Sequence, residues 1–254
     1  MKYIDTHCHL LSEYFDDTQI VKLINTAREF GVKEIIIPAT TWENSLETIK
    51  ISQKYPYVYS AIGVHPSVAT NDFDANLLTD IDVKKIIAIG EIGLDFYWEN
   101  NPLPETQIHV FKIFLDFAIK HDLPALIHMR NSEQEIYNIL SMTKYKRLKF
   151  LIHSFTSTYE WACKFIELGG LISFSGIVTF KNAKNLQEVV KKIPLNKILS
   201  ETDTPYLTPT PHRGQSNQPA YVKHVVDFIA SLREEKSAIV VKTIYKNTKT
   251  FFNF

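Results

Sequence analysis

Tyr3-Ile4-Asp5-Thr6-His7-Cys8-His9 opens the chain with a strand-forming run that ends in two histidines. Along an extended chain successive side chains point to opposite faces, so His7 and His9 share one face and Cys8 turns away. The same order, a short apolar run closed by a side chain able to hold a metal, recurs further on. Glu91 follows Lys85-Ile86-Ile87-Ala88-Ile89-Gly90, and His128 follows Leu123-Pro124-Ala125-Leu126-Ile127. His153 follows Phe150-Leu151-Ile152, and Asp203 follows Ile198-Leu199-Ser200-Glu201-Thr202. Short runs rich in Ile, Leu and Val are strands buried on both faces, as in a parallel sheet covered by helices. The predicted strands are Tyr3–Thr6, Glu34–Pro38, Val58–Gly63, Lys85–Glu91, Ala125–Met129, Lys149–His153, Leu171–Ser175 and Lys197–Glu201.

Helix-length stretches separate these runs. Residues 18–30 carry Ile20, Leu23, Ile24 and Ala27 at helical spacing and stop at Gly31. Residues 104–121 place Ile108, Phe111, Leu115 and Ala118 on one stripe behind Pro104, a residue suited to a first helical turn. Residues 157–168 end at Gly169-Gly170, a C-cap signal. Eight strands alternating with helices specify an α/β fold, a (β/α)8 TIM barrel with a parallel eight-stranded core, and the segment 221–254 adds a C-terminal helical tail. No glycine-rich nucleotide fingerprint follows the first strand, which disfavours an open doubly wound sheet. Without a linker or repeat, residues 1–254 read as a single domain.

Bulk composition narrows the function. Lys and Arg number 28, Asp and Glu also 28, so the whole surface is no electrostatic trap for nucleic acid. Polyanion binding must come from a local patch or from bound metal. Two cysteines, Cys8 and Cys163, make no disulfide framework, and a reducing compartment is the simpler expectation. There is no apolar leader and no run of about 18 apolar residues to span a membrane, so a cytoplasmic protein is expected.

In a barrel, the C-terminal ends of the strands converge on one pocket. His7, His9, Glu91, His128, His153 and Asp203 would then supply four imidazoles and two carboxylates. A single catalytic zinc needs about three protein ligands, so this set is better matched to two divalent ions. Two such ions leave a net positive site, suited to an anionic substrate. Imidazoles favour zinc, whereas carboxylates with phosphate suit magnesium or manganese. Taken singly, His128 or His153 reads as a packed residue; the combination at separate strand ends carries the argument. Glu201 shares Asp203's face and is a candidate for proton handling or a structural acid. His65, in Gly63-Val64-His65-Pro66, is a candidate catalytic or turn residue. Arg130, two residues past His128, and Arg213, in the irregular segment 204–219, are candidate phosphate donors, with no evident packing duty for Arg213's loop. His109, His121, His212 and His224 read as incidental. Phe96-Tyr97-Trp98 reads as packing by default, with base stacking as the alternative.

Six stretches carry a family resemblance. They are Ile4-Asp5-Thr6-His7-Cys8-His9-Leu10, Gly90-Glu91-Ile92-Gly93-Leu94-Asp95, Ile127-His128 with Arg130, His153-Ser154-Phe155, Glu201-Thr202-Asp203-Thr204-Pro205-Tyr206-Leu207, and Pro211-His212-Arg213-Gly214 with Asn217 and Pro219. Together they resemble the TatD family of metal-dependent deoxyribonucleases, which are amidohydrolase-like TIM barrels. The resemblance implies hydrolysis of DNA phosphodiesters, as a 3′-to-5′ exonuclease on single strands, through attack by a metal-bound hydroxide. It implies that His7, His9 and Asp203 hold one ion, that His128 and His153 hold the second, and that Glu91 bridges. The alternative within the same resemblance is a deacylase that removes a D-amino acid from tRNA. A small-molecule amidohydrolase fits less well, because no lysine ends the fourth strand.

Overall fold

The computed structural model describes residues 1–254. Its strands are β1 (Tyr3–Asp5), β2 (Val32–Pro38), β3 (Val58–Ile62), β4 (Ala88–Asp95), β5 (Ala125–Arg130), β6 (Phe150–Ile152), β7 (Leu171–Phe174) and β8 (Ile198–Ser200). They form one sheet in chain order from β1 to β8. The last strand returns to the first: Thr6 N donates to Ser200 O at 3.3 Å, and Cys8 bridges Thr204 in parallel. With helices between the strands and after them, this is the (β/α)8 TIM barrel expected from the sequence.

The helices are α1 (Asp17–Glu29), α2 (Trp42–Lys54), α3 (Pro104–Lys120), α4 (Glu133–Leu140), α5 (Tyr159–Glu167), α6 (Lys184–Lys192), α7 (Val222–Leu232) and α8 (Ser237–Phe252). Asp16 and Gln19 form a reciprocal capping box that starts α1. The tail expected over 221–254 is two helices, because the chain breaks at Arg233, whose guanidinium donates to Val190 O and Ile193 O. No helix is long and apolar enough to cross a membrane.

Two expectations need correction. Between β3 and β4 the chain makes three short 3-10 turns, Pro66–Val68, Ala75–Asp80 and Val83–Lys85, and no α-helix. The strand predicted over Lys85–Glu91 begins later and runs further. Asp82 Oδ1 accepts from Lys84 N at 3.1 Å and folds Val83–Lys85 into a turn, so Lys85 lies outside β4. Beyond Glu91 the strand keeps its register with β5, pairing Gly93 with His128 and Asp95 with Arg130. Glu91 therefore sits inside β4, and Asp95 ends it.

Contacts divide the chain into two compact units. The first comprises Met1–Ile37, His153–Ile166 and Leu171–Phe254. Its core includes Ile4, Ile24, Ile36, Phe165, Phe174, Leu199, Val225 and Ile229, all essentially inaccessible to solvent. Asn247 on α8 donates to Leu195 O and Ile198 O, which fastens the tail to β8. The second comprises Pro38–Ile152 and Glu167–Gly170. There α3 lays Phe111, Phe114 and Leu115 into a core shared with Ile89, Ile92, Leu126 and Ile127. Residues buried on both strand faces explain why these segments read as unbroken apolar runs.

Candidate metal centres

In the first unit, Asp5, His7 and His9 keep the strand's alternation past the end of β1. Cys8 N donates to Ile36 O at 3.2 Å and His9 N to Thr204 O at 2.8 Å, holding the segment extended. Cys8 is fully buried, its Sγ 3.7 Å from Ile36 O. The two imidazoles meet: His7 Nε2 and His9 Nε2 are 3.2 Å apart. Asp203 Oδ1 lies 3.6 Å from His7 Nε2 and 3.5 Å from His9 Nε2. Tetrahedral donors held at roughly 2.0–2.2 Å from one ion are about 3.3–3.6 Å apart, so this triangle fits a divalent cation. Asp203 reaches it from a left-handed backbone, φ 61°, which its N–H steadies by donating to His7 O at 2.8 Å. Burial opposes ionisation of Asp203, yet the hydrogen bond with His9 and the nearby His7 and His153 hold its carboxyl below the ordinary value.

His153 joins the same cluster. Its ring stacks on His7 with centroids 4.0 Å apart, and its Nδ1 lies 3.2 Å from Glu201 Oε1. Ser154 N donates to that oxygen at 2.7 Å. Glu201 is fully buried, and its second oxygen has no hydrogen-bond partner. A histidine whose Nδ1–H is held by a carboxylate presents Nε2 as a lone pair, the arrangement common behind metal-bound imidazoles. Beneath lies Asp5, which sequence reasoning passed over as a site residue. Its carboxyl accepts from Thr202 N at 2.9 Å, Thr202 Oγ1 at 2.6 Å and His7 N at 3.3 Å. Burial pushes that carboxyl up to about 8, against the opposing pull of these hydrogen bonds.

The second unit carries a separate cluster. Glu91 Oε1 lies 2.9 Å from His128 Nδ1 and 3.5 Å from His65 Nε2. His65 Nδ1 is 2.7 Å from Ser67 Oγ, which orients the ring and leaves Nε2 toward Glu91. On its other side His128 places Nε2 3.1 Å from Asp95 Oδ2. Burial opposes ionisation of Asp95, but the hydrogen bond and charge of His128, with Tyr97 N and His65, hold its carboxyl below the ordinary value. A carboxylate-backed histidine thus occurs in each unit, Glu201–His153 in the first and Asp95–His128 in the second. Asp95 was missed although it stands four residues after Glu91 in one strand, a spacing that puts both on one face. Gly93 lets the strands close at this point. Its φ is 148°, and a Cβ there would lie 2.0 Å from His128 O.

The candidate arginines have other neighbours. Arg130 ends β5 with its guanidinium 4.0 Å from the ring centroid of Tyr97. Arg213 donates to Thr208 O at 3.1 Å and lies 3.8 Å over the ring of Phe180, so its loop has a packing duty that the sequence did not reveal. His212 and His224, read as incidental, meet through their Nε2 atoms at 3.2 Å.

Comparison with known proteins places the chain in a family. The family model for TatD related DNase matches residues 4–253. The metal-dependent hydrolase YabD of Bacillus subtilis is 34% identical over 98% of this chain and 98% of its own. The metal-dependent hydrolase YcfH of Escherichia coli is 35% identical over 92% of this chain and 89% of its own. The crystal structure of YjjV, the Escherichia coli TatD homologue, superposes with a TM-score of 0.90 at 30% identity, covering 99% of this chain and 98% of that one. This chain therefore shares the fold of a TatD homologue and belongs to the TatD family of metal-dependent hydrolases.

Proposed function

We propose that this chain hydrolyses phosphodiester bonds of single-stranded DNA, acting from the 3′ end, with two divalent ions as cofactors. The observation that carries the reading is the donor triangle of His7 Nε2, His9 Nε2 and Asp203 Oδ1, with edges of 3.2, 3.6 and 3.5 Å. His7, His9 and Asp203, with His153 beside them, would hold one ion, and Glu91 with His128 the other. A divalent ion supplies a Lewis acid for phosphoryl oxygens and lowers the pKa of water. Glu201 holds His153, and Asp95 holds His128, each in the tautomer that presents a lone pair. The Glu201 contact makes it a positioning residue in this scheme rather than a proton carrier. His65, 3.5 Å from Glu91, is the candidate proton carrier of the second cluster. Arg130 and Arg213 orient the phosphates through their guanidinium edges.

The test offers purified protein single-stranded DNA, duplex DNA and D-aminoacyl-tRNA side by side, each with Mg²⁺, Mn²⁺ or Zn²⁺. Shortening of the single strand from its 3′ end is expected, abolished by chelation and restored by a divalent ion. Release of the amino acid from D-aminoacyl-tRNA with both DNAs left intact would overturn the reading.

A further inference from the structure

Past the end of β4 the chain exposes two large rings. Tyr97 is 48% and Trp98 56% accessible, and they meet edge to face with centroids 4.8 Å apart. The Arg130 guanidinium lies 4.0 Å from the Tyr97 centroid and 5.2 Å from that of Trp98. Exposed tyrosine and tryptophan rings leave apolar area in water that a folded chain ordinarily covers. Here they are held out on a rigid base. Tyr97 N donates to Asp95 Oδ1 at 3.0 Å and Phe96 N to Arg130 O at 2.9 Å. Asn101 Nδ2 donates to Asp95 O, and Gln107 Nε2 donates to both Asp95 O and Pro102 O. The Asp95 carboxylate that anchors Tyr97 through one oxygen meets His128 through the other. One residue, Asp95, therefore links the backbone of Tyr97 to His128 of the Glu91–His128 cluster.

We infer that Tyr97, Trp98 and Arg130 form a stacking platform for an unpaired base of a single-stranded nucleic acid. The inference rests on the nucleic-acid reading proposed above and deepens it. A flat π face beside a guanidinium matches a nucleobase, which presents its own π face together with an anionic backbone. In a duplex both faces of each interior base are already covered by its neighbours, so the platform selects single strands or frayed ends. Stacking reads no base edge, so recognition is tolerant of sequence. Arg130 lays the face of its guanidinium over Tyr97, which leaves the edge for the phosphate beside the stacked base.

The experiment measures binding in chelator, where no hydrolysis intervenes, for the full chain and its Tyr97→Ala, Trp98→Ala and Tyr97→Phe variants. The probes are a dodecamer of deoxythymidine and an abasic dodecamer with the same number of phosphates. Wild type is expected to prefer the base-bearing strand, and each alanine variant to lose roughly tenfold on that strand with no change on the abasic one. Tyr97→Phe keeps the ring and should bind like wild type. Because both rings are exposed, unchanged melting temperatures will show that the variants fold. Equal affinity of wild type for the two strands, or alanine variants that bind the base-bearing strand like wild type, would overturn the platform. Blue-shifted tryptophan emission on phosphatidylglycerol vesicles, lost in Trp98→Ala and absent with DNA, would assign the rings to a membrane surface and also overturn it. DNA hydrolysis by wild type with no base-dependent binding defeats the platform alone. Base-dependent binding without DNA hydrolysis under any metal defeats the catalytic reading alone.

Discussion

His128 is held between two carboxylates, Glu91 Oε1 at 2.9 Å and Asp95 Oδ2 at 3.1 Å, and His153 leans on Glu201 Oε1 at 3.2 Å. A neutral imidazole carries one N–H, so each carboxylate behind a ring decides which nitrogen keeps its lone pair. On the proposed reading, Asp95 and Glu201 would set the tautomer of His128 and His153 from behind the ring. Asp95→Asn and Glu201→Gln should each weaken divalent-ion affinity by roughly 10–100-fold without unfolding the chain. Calorimetric titration with Zn²⁺ or Mn²⁺ checks this, with melting temperature as the control. Affinities equal to wild type would show that the two acids are structural fillers.

β4 is the element on which the second cluster depends. It supplies Glu91 from its middle and Asp95 from its end, and its register brings Gly93 opposite His128. Gly93 combines φ 148° with a site where a Cβ would meet His128 O at 2.0 Å, so any side chain must push β4 from β5. Gly93→Ala should destabilise the fold by at least ~2 kcal/mol, through backbone strain and overpacking together. It should also displace His128, so metal affinity falls along with stability. Urea denaturation measures the first effect, and a midpoint within error of wild type would contradict the argument. Gly169 is the fitting control. Its φ is 96° but no atom lies within 4 Å of a Cβ there, so Gly169→Ala should meet strain alone.

For the whole molecule the test is linkage between metal and folding. A ligand that binds only the folded chain at 100 times its Kd adds about 2.7 kcal/mol of stability. For a chain of 254 residues each kcal/mol moves the melting temperature by roughly 2–4 °C, so saturation of one site should raise it by roughly 5–10 °C. Chelation should reverse the rise. The double variant His7→Ala with His9→Ala should lose most of the response, because it removes two corners of the donor triangle. Melting curves that ignore both divalent ions and chelator would argue against any folded-state metal site.

What the sequence determined by itself was the order of strands and helices, and with it the barrel. That follows from local rules: strands buried on both faces must be continuously apolar, and the period of two places His7 and His9 on one side with Cys8 buried on the other. The family was legible too, because its motifs are short, contiguous runs. The extent of β4 was not, since the sequence does not show that Asp82 caps a turn ahead of it or that pairing with β5 carries it on to Asp95. Tertiary structure alone decided which groups stand behind the histidines. Asp95 lies 33 residues from His128 and Glu201 lies 48 from His153, separations that no local spacing rule connects. It also decided that Arg213 packs on Phe180 and that Arg130 lies over Tyr97. Side-chain partners are chosen by which strand ends and loops the closed backbone brings within a few ångströms, and that distance exists only after the chain has folded.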